Sequence, residues 1–131
     1  MQQLILLIDD DQDEYFMLDQ AIQLAQLPHY CVWANSLSRA RQLLREILPD
    51  VILIDYNMPV SNGMDCLRII RDMHHLDKTQ VILYSNFLSD TTRELAMKQG
   101  ASCLQKPGSI QQLAEFLSKL NGGDKTLQPH L

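Results

Sequence analysis

With 131 residues, 46% hydrophobic content and a formal net charge of -5, the chain is sized for one packed domain. The acidic balance argues against nonspecific binding to nucleic acid or to an anionic membrane surface. Cys31, Cys66 and Cys103 are odd in number and far apart, so they show neither a disulfide framework nor zinc spacing and read as small buried hydrophobes in a reducing cytosol.

Apolar runs and amphipathic stretches alternate along the chain. Leu4-Ile5-Leu6-Leu7-Ile8 predicts a first strand; it is too short for a signal segment or a membrane span and has no positive segment before it, and the expected location is cytoplasmic. Leu18, Ala21, Ile22 and Ala25 share a helix face that stops before Pro28. Tyr30-Cys31-Val32-Trp33-Ala34 is a second strand, from which Trp33 packs. Leu37, Ala40, Leu44 and Ile47 mark a second helix running to Pro49. Val51-Ile52-Leu53-Ile54 is a third strand, and Cys66, Leu67, Ile70 and Met73 form the face of the helix after it. Val81-Ile82-Leu83-Tyr84 is a fourth strand, followed by a helix that stops at Gly100. Ser102-Cys103-Leu104-Gln105 is a weak fifth strand. Leu113, Ala114, Leu117 and Leu120 repeat the helical spacing at the end, with Ser109 and Gln112 as a capping box. The first, third and fourth runs are nearly continuous in aliphatic residues, which marks strands covered on both faces. Strand and helix therefore alternate five times, the pattern of a parallel sheet with helices on both faces and right-handed crossovers. Residues 1–121 form the predicted domain, and 122–131 read as a flexible C-terminal tail.

In such a sheet, ligands bind beyond the carboxyl ends of the strands. Asp9, Asp10 and Asp11 follow the first strand, Asp55 the third, Ser85 the fourth, and Lys106 with Pro107 the fifth. Crowded carboxylates repel, and a hard divalent cation such as Mg²⁺ removes the repulsion. The cation then neutralises the oxygens of an incoming phosphoryl group, for which positioning and charge are most of catalysis. Asp55 suits an oxygen nucleophile that forms an acyl phosphate. Lys106 supplies a compact positive charge and Ser85 a hydroxyl donor.

Ile8-Asp9-Asp10, the run Asp55-Tyr56-Asn57-Met58-Pro59 with Gly63, the strand-end Ser85, and Lys106-Pro107 together resemble the receiver domain of response regulators in two-component signalling. The resemblance runs from Leu4 to Leu120. It implies a flavodoxin-like doubly wound (βα)5 sandwich with a five-stranded parallel sheet in the order 2-1-3-4-5, here as a stand-alone module. It also implies that Asp55 is the phosphoacceptor, that Asp9, Asp10, Asp55 and the backbone carbonyl of Asn57 hold Mg²⁺ or Mn²⁺, that Ser85 is the switch hydroxyl, and that Lys106 binds the phosphate. A cis Lys106–Pro107 bond is implied as well.

The implied donor is a sensor histidine kinase or a histidine phosphotransfer protein, and the implied output is contact with a further protein, without direct DNA or membrane binding; a homodimer is allowed. Such a module catalyses only its own phosphorylation and dephosphorylation and is otherwise not an enzyme. The chain departs from the family pattern at Cys103, where an aromatic is usual, at Asn86, where a small residue is usual, and at Gly108, where phenylalanine is common.

Plainer readings attach to several residues. Asp11 and Asp13 read as helix-start acids, His74 and His75 as solvated or helix-terminal cations, and Tyr56 as a lip of the pocket. His29 and His130 carry no functional signal. An alternative enzyme reading, a haloacid-dehalogenase-like phosphohydrolase, would use Asp9 and Asp11 with Ser85 and Asn86. It leaves the run from Asp55 to Pro59 unexplained. Two further readings are a receiver-like module that only binds and a flavodoxin-like cofactor carrier. The carrier should have a hydroxyl- and glycine-rich phosphate loop where this chain has acids.

Overall fold

The computed structural model describes residues 2–59 and 62–120. The expected tail at 122–131 lies outside them. In chain order the elements are β1 (Leu4–Ile8), α1 (Gln12–Leu24), β2 (Tyr30–Ala34), α2 (Leu37–Leu43), β3 (Val51–Asp55), α3 (Gly63–Arg71), a 3-10 turn (His74–Leu76), β4 (Gln80–Ser85), α4 (Asp90–Lys98), β5 (Ser102–Gln105) and α5 (Ile110–Lys119). The five strands form one parallel sheet in the order β2-β1-β3-β4-β5. This is the flavodoxin-like (βα)5 arrangement that the sequence implies. No helix of the described residues is long and apolar enough to cross a membrane.

Strand alternation divides the core in two. Leu6, Ile8, Ile52, Ile54 and Leu83 point to the face covered by α2, α3 and α4, through Ala40, Leu67, Ile70 and Ala96. Ile5, Leu7, Leu53, Ile82 and Leu104 point to the other face, covered by α1 and α5 through Leu18, Ala21, Leu113 and Leu117. Leu53 and Ile54 are both fully buried. Truncating either to alanine should cost about 2–5 kcal/mol, the lost burial plus a cavity that its packed neighbours only partly fill.

Each helix starts on a side chain that satisfies a free backbone N–H. Asp11, Ser36, Asn62, Ser89 and Ser109 accept from Asp13, Arg39, Asp65, Thr92 and Gln112 respectively. The predicted capping box at Ser109 takes a variant form: the Gln112 side chain reaches back to the N–H of Gly108, at 3.1 Å, one residue before the cap.

Two helices stop earlier than their apolar spacing suggests. α2 ends at Leu43 and tightens into a turn in which Glu46 N–H reaches Leu43 O at 2.9 Å. α3 ends at Arg71, and Met73 is extended ahead of the 3-10 turn. That turn carries His74 and His75. His74 is solvated, as expected, while Nε2 of His75 lies 3.2 Å from the backbone oxygen of Leu44. His29 is buried: its Nδ1 accepts from the backbone N–H of Gln3 and its Nε2 lies 3.2 Å from Leu117 O. It ties β1, the start of β2 and α5 together at the amino edge of the sheet.

Candidate functional site

At the opposite, carboxyl edge, β1 delivers Asp9 and Asp10 and β3 ends on Asp55. Asp9 is fully buried, Asp55 is buried and Asp10 is exposed. One carboxylate oxygen from each lies within 4.8 Å of the other two. Asp9 is fixed from two sides. Its Oδ1 accepts the N–H of Asp11 at 2.9 Å, and its backbone carbonyl accepts the indole N–H of Trp33 at 2.7 Å. Trp33 in turn stacks on Tyr15 of α1. Asp11 turns away from the pocket to cap α1, where its Oδ1 accepts from Asp13 at 3.0 Å. The helix-start reading therefore describes Asp11, and the Asp9–Asp11 pair of the phosphohydrolase alternative is not assembled.

β5 brings Lys106 to the same edge. Its backbone N–H donates to Ser85 O at 2.7 Å, which extends the β4–β5 ladder past Gln105. Its ammonium lies 3.2 Å from Asp9 Oδ2, 3.4 Å from Asp55 Oδ1 and 3.4 Å from Glu14 Oε1. The Tyr84 ring lies below it, with its centroid at 5.4 Å.

Burial pushes the Asp9 carboxyl up to about 6; the Asp11 N–H and Lys106 restrain that rise, and Asp55 adds to it. For Lys106, burial acts downward, but Asp9, Asp55 and Glu14 outweigh it and hold the ammonium above its ordinary range. Asp9, Asp10, Glu14 and Asp55 against one lysine leave the pocket short of positive charge. An all-oxygen donor set of this kind fits a hard divalent cation. A cleft of about 480 Å³, lined by Asp10, Ser36, Arg41, Arg45, Met58 and Pro59 among others, opens beside Asp10.

Ser85, fully buried at the end of β4, accepts a hydrogen bond from the Asn57 side-chain amide at 3.2 Å. Gly63 lets α3 start against the turn after β3. A Cβ there would stand 2.7 Å from Tyr56 Cα, 2.8 Å from Leu83 Cδ1 and 3.0 Å from Asp55 O, so it would meet backbone as well as a buried side chain. The Gly63 N–H donates to Tyr56 O at 2.9 Å. Tyr56, expected at the lip, is half-buried and packs against the core under α2, α3 and α4. Cys103, at the usual aromatic position, is also half-buried against that core.

The structure corrects one expectation: no peptide bond among the described residues is cis, so Lys106–Pro107 is trans, the form that X-Pro bonds favour by about 0.5–1 kcal/mol. Asp9, Asp10, Asp55, Asn57, Ser85 and Lys106 all gather at one edge. Sequence reasoning missed Glu14 and the Tyr84 ring. Glu14 stands in the first turn of α1, where an acid is explained by the helix dipole alone, and nothing in the spacing points it at Lys106.

The model of the response regulator receiver domain family matches residues 5–118. The chain is 33% identical over 110 residues to "Regulatory protein AtoC" of Escherichia coli, a match that covers 83% of this chain and 23% of that protein. It is 28% identical over 128 residues to "Transcriptional regulatory protein LnrK" of Bacillus subtilis, covering 96% of this chain and 57% of the relative. It thus spans from about a quarter to over half the length of these relatives. Among solved structures, the chemotaxis response regulator CheY4 of Vibrio cholerae superposes with a TM-score of 0.78 at 22% identity, covering 91% of this chain and 98% of that one. The receiver domain of the Francisella response regulator 1452 superposes with a TM-score of 0.73 at 26% identity, covering 88% and 93%. A family match across nearly the whole described chain, on a fold that gathers acids and a lysine at one sheet edge, shows that this chain belongs to the response regulator receiver domain family.

Proposed function

We propose that this receiver domain accepts a phosphoryl group on Asp55 in a step that depends on Mg²⁺ or Mn²⁺, and that phosphorylation changes its affinity for a partner protein. The observation that carries the reading is the convergence of Asp9, Asp10 and Asp55 within 4.8 Å, with Lys106 at 3.4 Å from Asp55 Oδ1.

A divalent cation held by the carboxylates of Asp9, Asp10 and Asp55 and by the backbone carbonyl of Asn57 would neutralise charge on the phosphoryl oxygens. The chain's own groups do the rest. A carboxylate oxygen of Asp55 attacks phosphorus. The bond from phosphorus to the donor histidine breaks, and its electron pair stays with the imidazole. Lys106 meets the charge on the transferred group, and the Ser85 hydroxyl turns from Asn57 to donate to a phosphate oxygen. Loops after β3 and β4 follow, which alters the face around α4.

The donor is a phosphohistidine on a sensor kinase or a histidine phosphotransfer protein. The chain turns over no external substrate and catalyses only its own phosphorylation and dephosphorylation. With a net charge of -5 its output is contact with another protein, or with a second copy, rather than with DNA. A cytoplasmic setting agrees with its three free thiols, of which burial pushes Cys31 and Cys66 up to about 12 and so away from the reactive thiolate. To test the reading, the protein is incubated with a small acyl phosphate and Mg²⁺ and its intact mass is measured. One phosphate adduct on the wild type and none on Asp55→Asn is the expected result; adducts on both, or on neither, contradict it.

A further inference from the structure

Glu14 enters the pocket from a helix, whereas Asp9, Asp10 and Asp55 come from strand ends. It is not one of the three acids grouped closely enough to share a cation. Its Oε1 lies 3.4 Å from Lys106 Nζ, and its side chain is 19% exposed against 9% for the lysine. Lys106 is thus shared by Asp9, Asp55 and Glu14.

The charges on these three acids respond differently to events in the pocket. A cation held by Asp9 and Asp55 draws on the two carboxylates that share Lys106 with Glu14 and leaves Glu14 as the un-neutralised one. A phosphoryl group on Asp55 then presents new anionic oxygens beside Lys106. An ammonium on a flexible four-carbon stem can swing from one anion to another. We infer that Glu14 is a positioning residue that holds Lys106 in the resting pocket and competes with the phosphoryl group for it. The inference rests on Asp55 being the phosphoacceptor, and it adds a resting latch supplied by α1.

A plain alternative is that Glu14 only complements the dipole of α1. Asp13, in the same first turn but exposed, controls for that. The test is calorimetric binding of beryllium fluoride, a phosphoryl mimic, to the full chain with Mg²⁺. Glu14→Gln should bind about fivefold more tightly than wild type, the ratio a part-exposed ion pair sets. Glu14→Ala should show the same gain, and Asp13→Asn should show none. In a Lys106→Met background Glu14→Gln should add nothing further.

Equal or weaker binding by Glu14→Gln overturns the latch while leaving the phosphoacceptor reading standing. So does an equal gain from Asp13→Asn, or a gain that persists without Lys106, since Glu14 would then act through the dipole or by direct repulsion. No binding by the wild type sinks the phosphoacceptor reading, and the latch with it.

Discussion

The indole N–H of Trp33 donates a 2.7 Å hydrogen bond to the backbone carbonyl of Asp9, so the chain's one tryptophan is attached to the acid pocket. Cation binding at Asp9 and Asp10 should therefore change Trp33 fluorescence in a saturable way. Asp10→Asn should shift the titration to higher Mg²⁺ by about tenfold or more, in the range that perturbed metal sites show. A curve that Asp10→Asn leaves in place would put the cation elsewhere.

Gly63→Ala should be costly although the change is one methyl group. The added Cβ meets the backbone of Tyr56 and Asp55, so α3 or the turn after β3 must move. A loss of about 1–3 kcal/mol in urea denaturation is expected, together with weaker Mg²⁺ binding because Asp55 moves with the turn. Unchanged values for both would mean that the turn yields freely.

The buried Asp9 makes the cation-free protein sensitive to pH. Its carboxyl titrates at about 6 in the folded state against 3.8 when unperturbed, chiefly through burial. The folded state therefore takes up this proton first. Its contribution stabilises as pH falls from neutral through about 6, by an amount of order 2 kcal/mol, and levels off near the unfolded value. Denaturation curves at several pH values should show that gain in wild type without metal. Asp9→Asn should lose it, and saturating Mg²⁺ should suppress it.

His29 pulls the other way. Burial of its ring lowers its affinity for a proton below that of an ordinary imidazole, and the contact with Leu117 O only partly offsets this. The unfolded state then binds this proton more readily, and the His29 contribution, complete above about 6.5, is lost as pH falls below that value. In an Asp9→Asn background, which removes the opposing effect, stability should fall on mild acidification. Adding His29→Gln should flatten that fall. Parallel curves for the two proteins would assign the acid sensitivity to other groups.

Much of this molecule is legible in the sequence because its two signals are strong. Aliphatic strands such as Val51 to Ile54 can only be covered on both faces, and strand-end acids can only meet at one edge. The details that escaped depend on geometry the sequence does not carry. Leu44 and Ile47 keep helical spacing, yet α2 ends at Leu43, because the chain must turn toward Pro49 and the start of β3. Glu14 faces Lys106 only once α1 has a fixed rotation on the sheet. His29, which sits in a loop and has no spacing to mark it, becomes a buried tie only after α5 closes over it.

The most direct measurement of the central claim locates the transferred phosphate. The protein is loaded from a small acyl phosphate with Mg²⁺, reduced with borohydride, and mapped by peptide mass spectrometry. The account predicts reduction of the acyl phosphate to homoserine at position 55 and none when Mg²⁺ is chelated. A label at Asp9 or Asp10, or equal labelling without the cation, would contradict it.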